Sequence, residues 1–199
     1  MCEDETTISV YDTKASDYAK AFSAAGDELG LQRFMSMLPK GAVVLDLGCG
    51  PGAHAAALYA QGFKVTATDA SIAMVEIARR HKGLIVRQAR FSDLREQDVY
   101  DGVWANFSLL HAPRADLPDH LLRIATALRQ GGIFHIGMKT GEGERRDALG
   151  RFYAFYTVDQ LCELLKVAGF DVIEVVLGES AGLAGTVDPW VEMLAILRA

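Results

Sequence analysis

The chain has 199 residues, enough for one domain with a full core, and it is 50% hydrophobic and 23% charged, which marks it as globular rather than disordered. A formal net charge of -6 with no lysine- or arginine-rich block speaks against a nucleic-acid backbone as partner, because phosphate contacts require a basic face. The acidic start Met1-Cys2-Glu3-Asp4-Glu5 lacks the apolar segment of a signal peptide, and no apolar run reaches the ~18 residues of a membrane span. Cys2, Cys49 and Cys162 are widely spaced, as free thiols in a reducing cytosol would be, and they suggest no metal site. The expectation is a single cytoplasmic domain over residues 1–199, monomeric or homodimeric, with residues 1–40 as a helical cap and residues 41–199 as the core.

Residues 8–38 predict two helices. Tyr11, Ala15, Tyr18 and Phe22 recur at helical spacing, so their side chains share one face, either as a core stripe or against a ligand. Pro39 ends the second helix. Val43-Val44-Leu45-Asp46-Leu47 then reads as a short buried strand, which Gly48-Cys49-Gly50-Pro51-Gly52 ends in a tight turn before a helix starting at Ala53. Glycines in such a turn let the backbone lie against a ligand, and the helix directs its positive dipole end at whatever sits there. The corner is therefore built for a nucleotide-type ligand.

The spacing separates the candidates. A dinucleotide fingerprint needs G-x-G-x-x-G, whereas this loop reads G-x-G-x-G with Ala53 following, and Asp46 at the strand's end would repel a pyrophosphate. An acid there suits a cationic ligand. VLDLGCGPG resembles motif I of the class I S-adenosylmethionine-dependent methyltransferases, whose pattern is roughly hh-D/E-h-G-x-G-x-G. The resemblance implies S-adenosylmethionine as cofactor, with Asp46, Gly48, Cys49, Gly50 and Gly52 around it. It also gives Tyr11 and Tyr18 a place, since many members open with a Y-D-x-x-A-x-x-Y segment that closes over the cofactor.

Phe63 to Asp69 is a second β-rich run, and Asp69 lies about twenty residues past the loop, where an acid reaches a ribose diol. The other reading of Asp69 is a helix N-cap, which Ser71 also suits. Ala70 and Met74 follow at the start of an amphipathic helix, where Met74 either packs or touches the adenine. Leu84 to Arg87 makes a third strand. The resemblance implies an acid after it for the adenine amino group, but Arg90 stands at the matching position. The backbone of Arg90 and Phe91, or alternatively Asp93, is then left to read the base.

Tyr100 to Phe107 is a fourth strand whose end, with Asn106 and Phe107, sits at the carboxyl edge beside the topological switch point. The N/D-P-P-Y/F box of amino-group methyltransferases that act on DNA bases or glutamine is absent here. His111, just beyond, is the candidate general base or acceptor-orienting group, with a structural role as the alternative. A helix over 116–129, capped by Gln130-Gly131-Gly132, leads to a fifth strand at 133–138 in which His135 reads as a core histidine. Residues 139–150 read as a polar loop. Arg151-Phe152-Tyr153-Ala154-Phe155-Tyr156 reads as a lid or an anchor, and Tyr153, Tyr156 and Phe22 are the expected walls of a substrate pocket. A helix from Thr157, a strand at 171–177, a turn at 178–188 and a strand at 190–197 complete the chain.

The predicted fold is α/β: a Rossmann-like doubly wound sheet of seven mostly parallel strands, with a C-terminal antiparallel hairpin and N-terminal helices. The implied function is methyl transfer to a small-molecule acceptor, with no nucleic acid, membrane or metal involved. The alternatives are a non-catalytic S-adenosylmethionine-binding regulator and, from the sheet alone, a nicotinamide-dependent oxidoreductase.

Overall fold

The computed structural model describes residues 4–21 and 29–198, so Phe22 lies outside the described residues. Two helices, α1 (Glu5–Ala21) and α2 (Leu29–Ser36), precede β1 (Val43–Leu47), α3 (Ala53–Ala60), β2 (Lys64–Asp69), α4 (Ile72–Ala78) and β3 (Ile85–Gln88). There follow β4 (Tyr100–Asn106), α5 (Leu117–Ala127), β5 (Leu128–Lys139), β6 (Glu144–Arg146), β7 (Phe152–Ala154), α6 (Val158–Val167), β8 (Phe170–Ala181) and β9 (Val187–Leu197).

Seven strands form one sheet in the order β3-β2-β1-β4-β5-β9-β8, parallel except for β9, which runs antiparallel to both neighbours. The chain winds outward from β1 to β3 and then returns to β4, so the switch point lies between β1 and β4. Side chains alternate across the strands. Leu45, Leu47, Val103, Ala105, Phe134 and Ile136 face a core closed by α5 and α6. Val44, Val65, Ala67, Trp104 and Ile133 face a second core that contains Phe34 of α2, Ala55 and Leu58 of α3, and Val75 and Ala78 of α4. On this second face Asp46, Trp104 and His135 occupy adjacent register positions, and the Trp104 indole stacks on the His135 imidazole at 3.6 Å and 13°.

Three expectations needed revision. The helix ends at Ala127, and Leu128 already pairs with Tyr100, because its side chain is buried at the sheet; Gly131, at φ 74, shapes a bulged strand start instead of a helix cap. The polar stretch after β5 contains β6, which pairs with β7 through Arg145–Tyr153, so charged and aromatic segments form a small second hairpin. The turn expected at 178–188 is shorter, since β8 and β9 remain paired out to Ala181–Val187.

Candidate active site

A cavity of about 630 Å³ opens at the carboxyl ends of β1 and β4, walled by α1, α2, the glycine turn and the far end of the β8–β9 hairpin. Gly48, Gly50 and Gly52 have φ of 78, 52 and 84°, a left-handed conformation that side-chain-bearing residues adopt with strain. The N–H groups of Gly48 and Cys49 both donate to the Thr68 carbonyl, at 2.8 and 2.9 Å, which ties the turn to β2. A Cβ on Gly48 would stand 2.3 Å from Ser108 Cβ, so that glycine lets the turn pass the end of β4. A Cβ on Gly50 would meet only the Tyr18 ring at 3.8 Å, so this backbone is bare towards the cavity. Gly52 faces away, 2.9 Å from Ala78 by the same measure, and serves the packing of α4.

Asp69 sits beneath the bare turn. Its Oδ2 accepts from Gly50 N–H at 2.8 Å and its Oδ1 from Ser71 N–H at 2.9 Å. Burial pushes its carboxyl up to about 6 against these backbone bonds and a further one from Ala70. Ser71 is the N-cap of α4, and its hydroxyl donates at 2.5 Å to Asp12 of α1. The N-cap reading of Asp69 thus passes to its neighbour.

Asp46 lies behind the turn and does not line the cavity, a correction to the expected direct contact. It is 2% exposed; the Ala55 N–H bonds it, while Oδ2 has no partner among the described residues. Burial pushes its carboxyl up to about 7. An unfolded aspartate titrates near 3.9, so between about pH 4 and 7 the folded chain holds a proton that the unfolded chain has lost. Its contribution to stability is therefore fully present below pH 4 and lost as pH rises through about 7. Asp46→Asn is expected to exceed the parent chain in stability at pH 8 by up to about 4 kcal/mol, and to lose that advantage at pH 4. Urea unfolding at both pH values measures it; the same difference at each would refute the assignment.

On the opposite wall, four side chains form one hydrogen-bonded chain. His111 Nδ1 lies 2.7 Å from the Phe152 carbonyl, which can only accept, so Nδ1 carries the hydrogen. Burial lowers this imidazole to about 4, leaving it neutral, and Nε2 accepts from the Tyr11 hydroxyl at 2.7 Å. Tyr11 in turn accepts from Arg151 Nη1 at 3.1 Å, and Arg151 is held by Asp147 at 2.7 and 2.9 Å. Burial drives the Tyr11 phenol well above its usual range, so the hydroxyl keeps its proton. Helix α1 is fixed here by polar contacts: Thr7 Oγ1 also accepts from Phe152 N–H at 2.8 Å.

Beyond His111 the cavity becomes aromatic. The rings of His111 and Tyr153 lie 4.7 Å apart, and Phe107 meets Trp190 edge-on at 6.1 Å. Phe107 has φ 51°, strain in a bulky residue at the exit of β4 of the kind that collects at functional sites. Lys139 Nζ lies 4.3 Å from the centre of the Tyr153 ring and 2.6 Å from Asp188.

Of the residues expected to touch a ligand, Tyr11, Tyr18, Gly48, Cys49, Gly50, Asp69, Ala70, Met74, Phe91, Asn106, Phe107, His111 and Tyr153 line the cavity. Asp46, Gly52, Arg90 and Tyr156 do not. The Arg90 side chain turns out to pair with Glu5, and its N–H is taken by Asp93 at 2.9 Å, which leaves that N–H engaged and Asp93 closing a turn. Tyr156 is 1% exposed beneath the Arg114 guanidinium, 4.2 Å from its ring centre. The sequence reading missed Lys139, Asp188 and Trp190 as cavity residues, and gave Arg151 only as part of the lid-or-anchor segment. Their signal was the charge or aromatic closing a strand or opening the next; the β5–β9 register and the Lys139–Asp188 ion pair bring Lys139, Asp188 and Trp190 together.

Among the described residues no cluster of three His, Cys, Asp or Glu side chains could hold a metal ion, and no helix is long and apolar enough to cross a membrane. Residues 44–132 match the family model described as a methyltransferase domain. The chain is 36% identical over 126 residues to trans-aconitate 2-methyltransferase of Variovorax paradoxus, covering 59% of this chain and 46% of the relative. It is 31% identical over 96 residues to malonyl-[acyl-carrier protein] O-methyltransferase of Salmonella typhimurium, covering 46% of this chain and 37% of the relative. The matches thus span less than half the length of these curated relatives. Among solved structures, 1,6-didemethyltoxoflavin-N1-methyltransferase of Burkholderia thailandensis, with 1,6-didemethyltoxoflavin and S-adenosylhomocysteine bound, superposes with a TM-score of 0.76 at 25% identity, covering 98% of this chain and 88% of that one.

Proposed function

We propose, for a chain that belongs to the class I S-adenosylmethionine-dependent methyltransferases, that it binds S-adenosylmethionine in the cavity and methylates a small-molecule acceptor. The observation that carries this is the bare backbone of Gly50 backed by the Asp69 carboxylate, which no cation among the described residues neutralises. Gly50 and Ser71 bond different Asp69 oxygens, and a carboxylate has about four acceptor sites, so capacity remains for a ribose diol. Met74 and Phe91 supply apolar surface for the base, and Tyr11 and Tyr18 cover the turn from α1. The Asp69 carboxylate beneath the turn favours a cationic ligand over a diphosphate. These residues fit the cofactor.

When bound, S-adenosylmethionine supplies a methyl group on a sulfonium that is already a good leaving group. The chain's task is orientation and exclusion of water. His111 has both nitrogens engaged, and we assign it to positioning the acceptor rather than to taking its proton. Relatives named for trans-aconitate and 1,6-didemethyltoxoflavin support a small acceptor, and the aromatic end of the cavity suits one. Titration calorimetry is expected to give micromolar binding of S-adenosylhomocysteine and none of NADH. The absence of heat and of a thermal shift at millimolar S-adenosylhomocysteine would end the reading.

A further inference from the structure

Resting on that reading, we infer that the acceptor is a carboxylate, held by Lys139 and Arg151 around the ring of Tyr153 and methylated on oxygen. Two cations flank this one phenol ring: Lys139 Nζ at 4.3 Å and the Arg151 guanidinium carbon at 5.3 Å from its centre. All three line the cavity beside His111, beyond the glycine turn and Asp69. Each cation is anchored by an acid, Asp188 for Lys139 and Asp147 for Arg151. Lys139 is a three-proton donor whose hydrogen-bond partner among the described residues is Asp188, so it retains capacity for a second oxygen. Phe107 and Trp190 provide the apolar walls for the rest of such an acid.

The proton inventory points the same way. A phenol, alcohol or ammonium must lose a proton before or during transfer. The groups facing His111 are Tyr11, Tyr153, Arg151, Asp147 and Lys139, and none of them is a free base. The imidazole itself is committed at both nitrogens. Against its burial, Lys139 and Thr186 lower the Asp188 carboxyl below its usual value. A carboxylate needs none of this. One of its oxygens supplies the electron pair of the new O–CH₃ bond, the C–S bond breaks with its pair left on sulfur, and the products are a neutral methyl ester and S-adenosylhomocysteine. No proton moves.

The test begins with binding. Wild type saturated with S-adenosylhomocysteine is titrated with cinnamate, benzoate and trans-aconitate, and at least one acid is expected to bind with a submillimolar Kd. Lys139→Met should weaken that acid at least tenfold and Lys139→Arg by less than threefold, while both variants keep S-adenosylhomocysteine affinity within twofold of wild type, which also shows that they fold. With saturating S-adenosylmethionine, mass spectrometry should find the methyl ester, formed at a rate level from pH 8 to 9, above the titration of Asp69 and Asp46. If S-adenosylhomocysteine binds but no acid does, or if phenols and amines are methylated instead with a rate rising with pH, the carboxylate proposal is overturned and the methyltransferase reading stands. If S-adenosylhomocysteine itself fails to bind, the reading beneath fails.

Discussion

Asp69→Asn should weaken S-adenosylhomocysteine binding by between about tenfold and a hundredfold, the worth of a lost hydrogen bond to a charged group. The carboxylate accepts from Gly50 and Ser71 with different oxygens, so an amide must turn its NH₂ towards one of those N–H donors. If it faces Gly50, the turn loses its anchor; if it faces Ser71, the start of α4 does. In either case one acceptor for the ribose diol becomes a donor, and the negative charge disappears from beneath the bare backbone of Gly50. Calorimetry at pH 8, where wild-type Asp69 is ionised, separates the effect from titration, because burial places the group at about 6. An affinity within threefold of wild type would remove Asp69 from the cofactor site.

Phe34→Ala is expected to cost about 3–5 kcal/mol of stability in urea unfolding, the range for emptying a fully buried aromatic site. Phe34 is 0% exposed, its ring centre lies 5.3 Å from that of Trp104, and its tip fills the space left by Gly102, where a Cβ would stand 2.7 Å away. With Leu31 it docks α2 on the sheet. Leu29, Gly30 and Arg33 of the same helix line the cavity, so cofactor affinity should fall along with stability. Leu122→Ala, at a side chain 51% exposed on α5, is the control and should stay within about 0.5 kcal/mol. A loss below 1 kcal/mol for Phe34→Ala would mean that α2 is held by something other than this ring.

What the sequence made legible was local. The short apolar run of β1, and three glycines in five positions after Leu47, carry their meaning within a short window, and so does the twenty-residue step to Asp69. The same window could not place Asp46 and Gly52: it shows which residues form the turn but not which side of it faces the cavity, and Gly52 packs on Ala78 while Asp46 lies buried behind the turn. Arg90 was expected near the base because of its position after β3, whereas its side chain follows the charge of Glu5 on α1, far off in sequence. The outer parts of β8 and β9 are polar and exposed beyond the sheet, so they resemble a turn until the ladder is seen. Lys139, Asp188 and Trp190 were invisible for a related reason: an antiparallel register, unlike a motif, leaves no spacing to read.

The two tryptophans of the chain occupy opposite situations. Trp104 is sealed at 1% exposure between Phe34, His54 and the stacked ring of His135, whereas Trp190 forms part of the cavity wall. The first indole is insulated from whatever enters the protein, and the second lies against it. Changes in ultraviolet emission on mixing therefore report from the acceptor end, and the molecule carries its own optical gauge of occupancy.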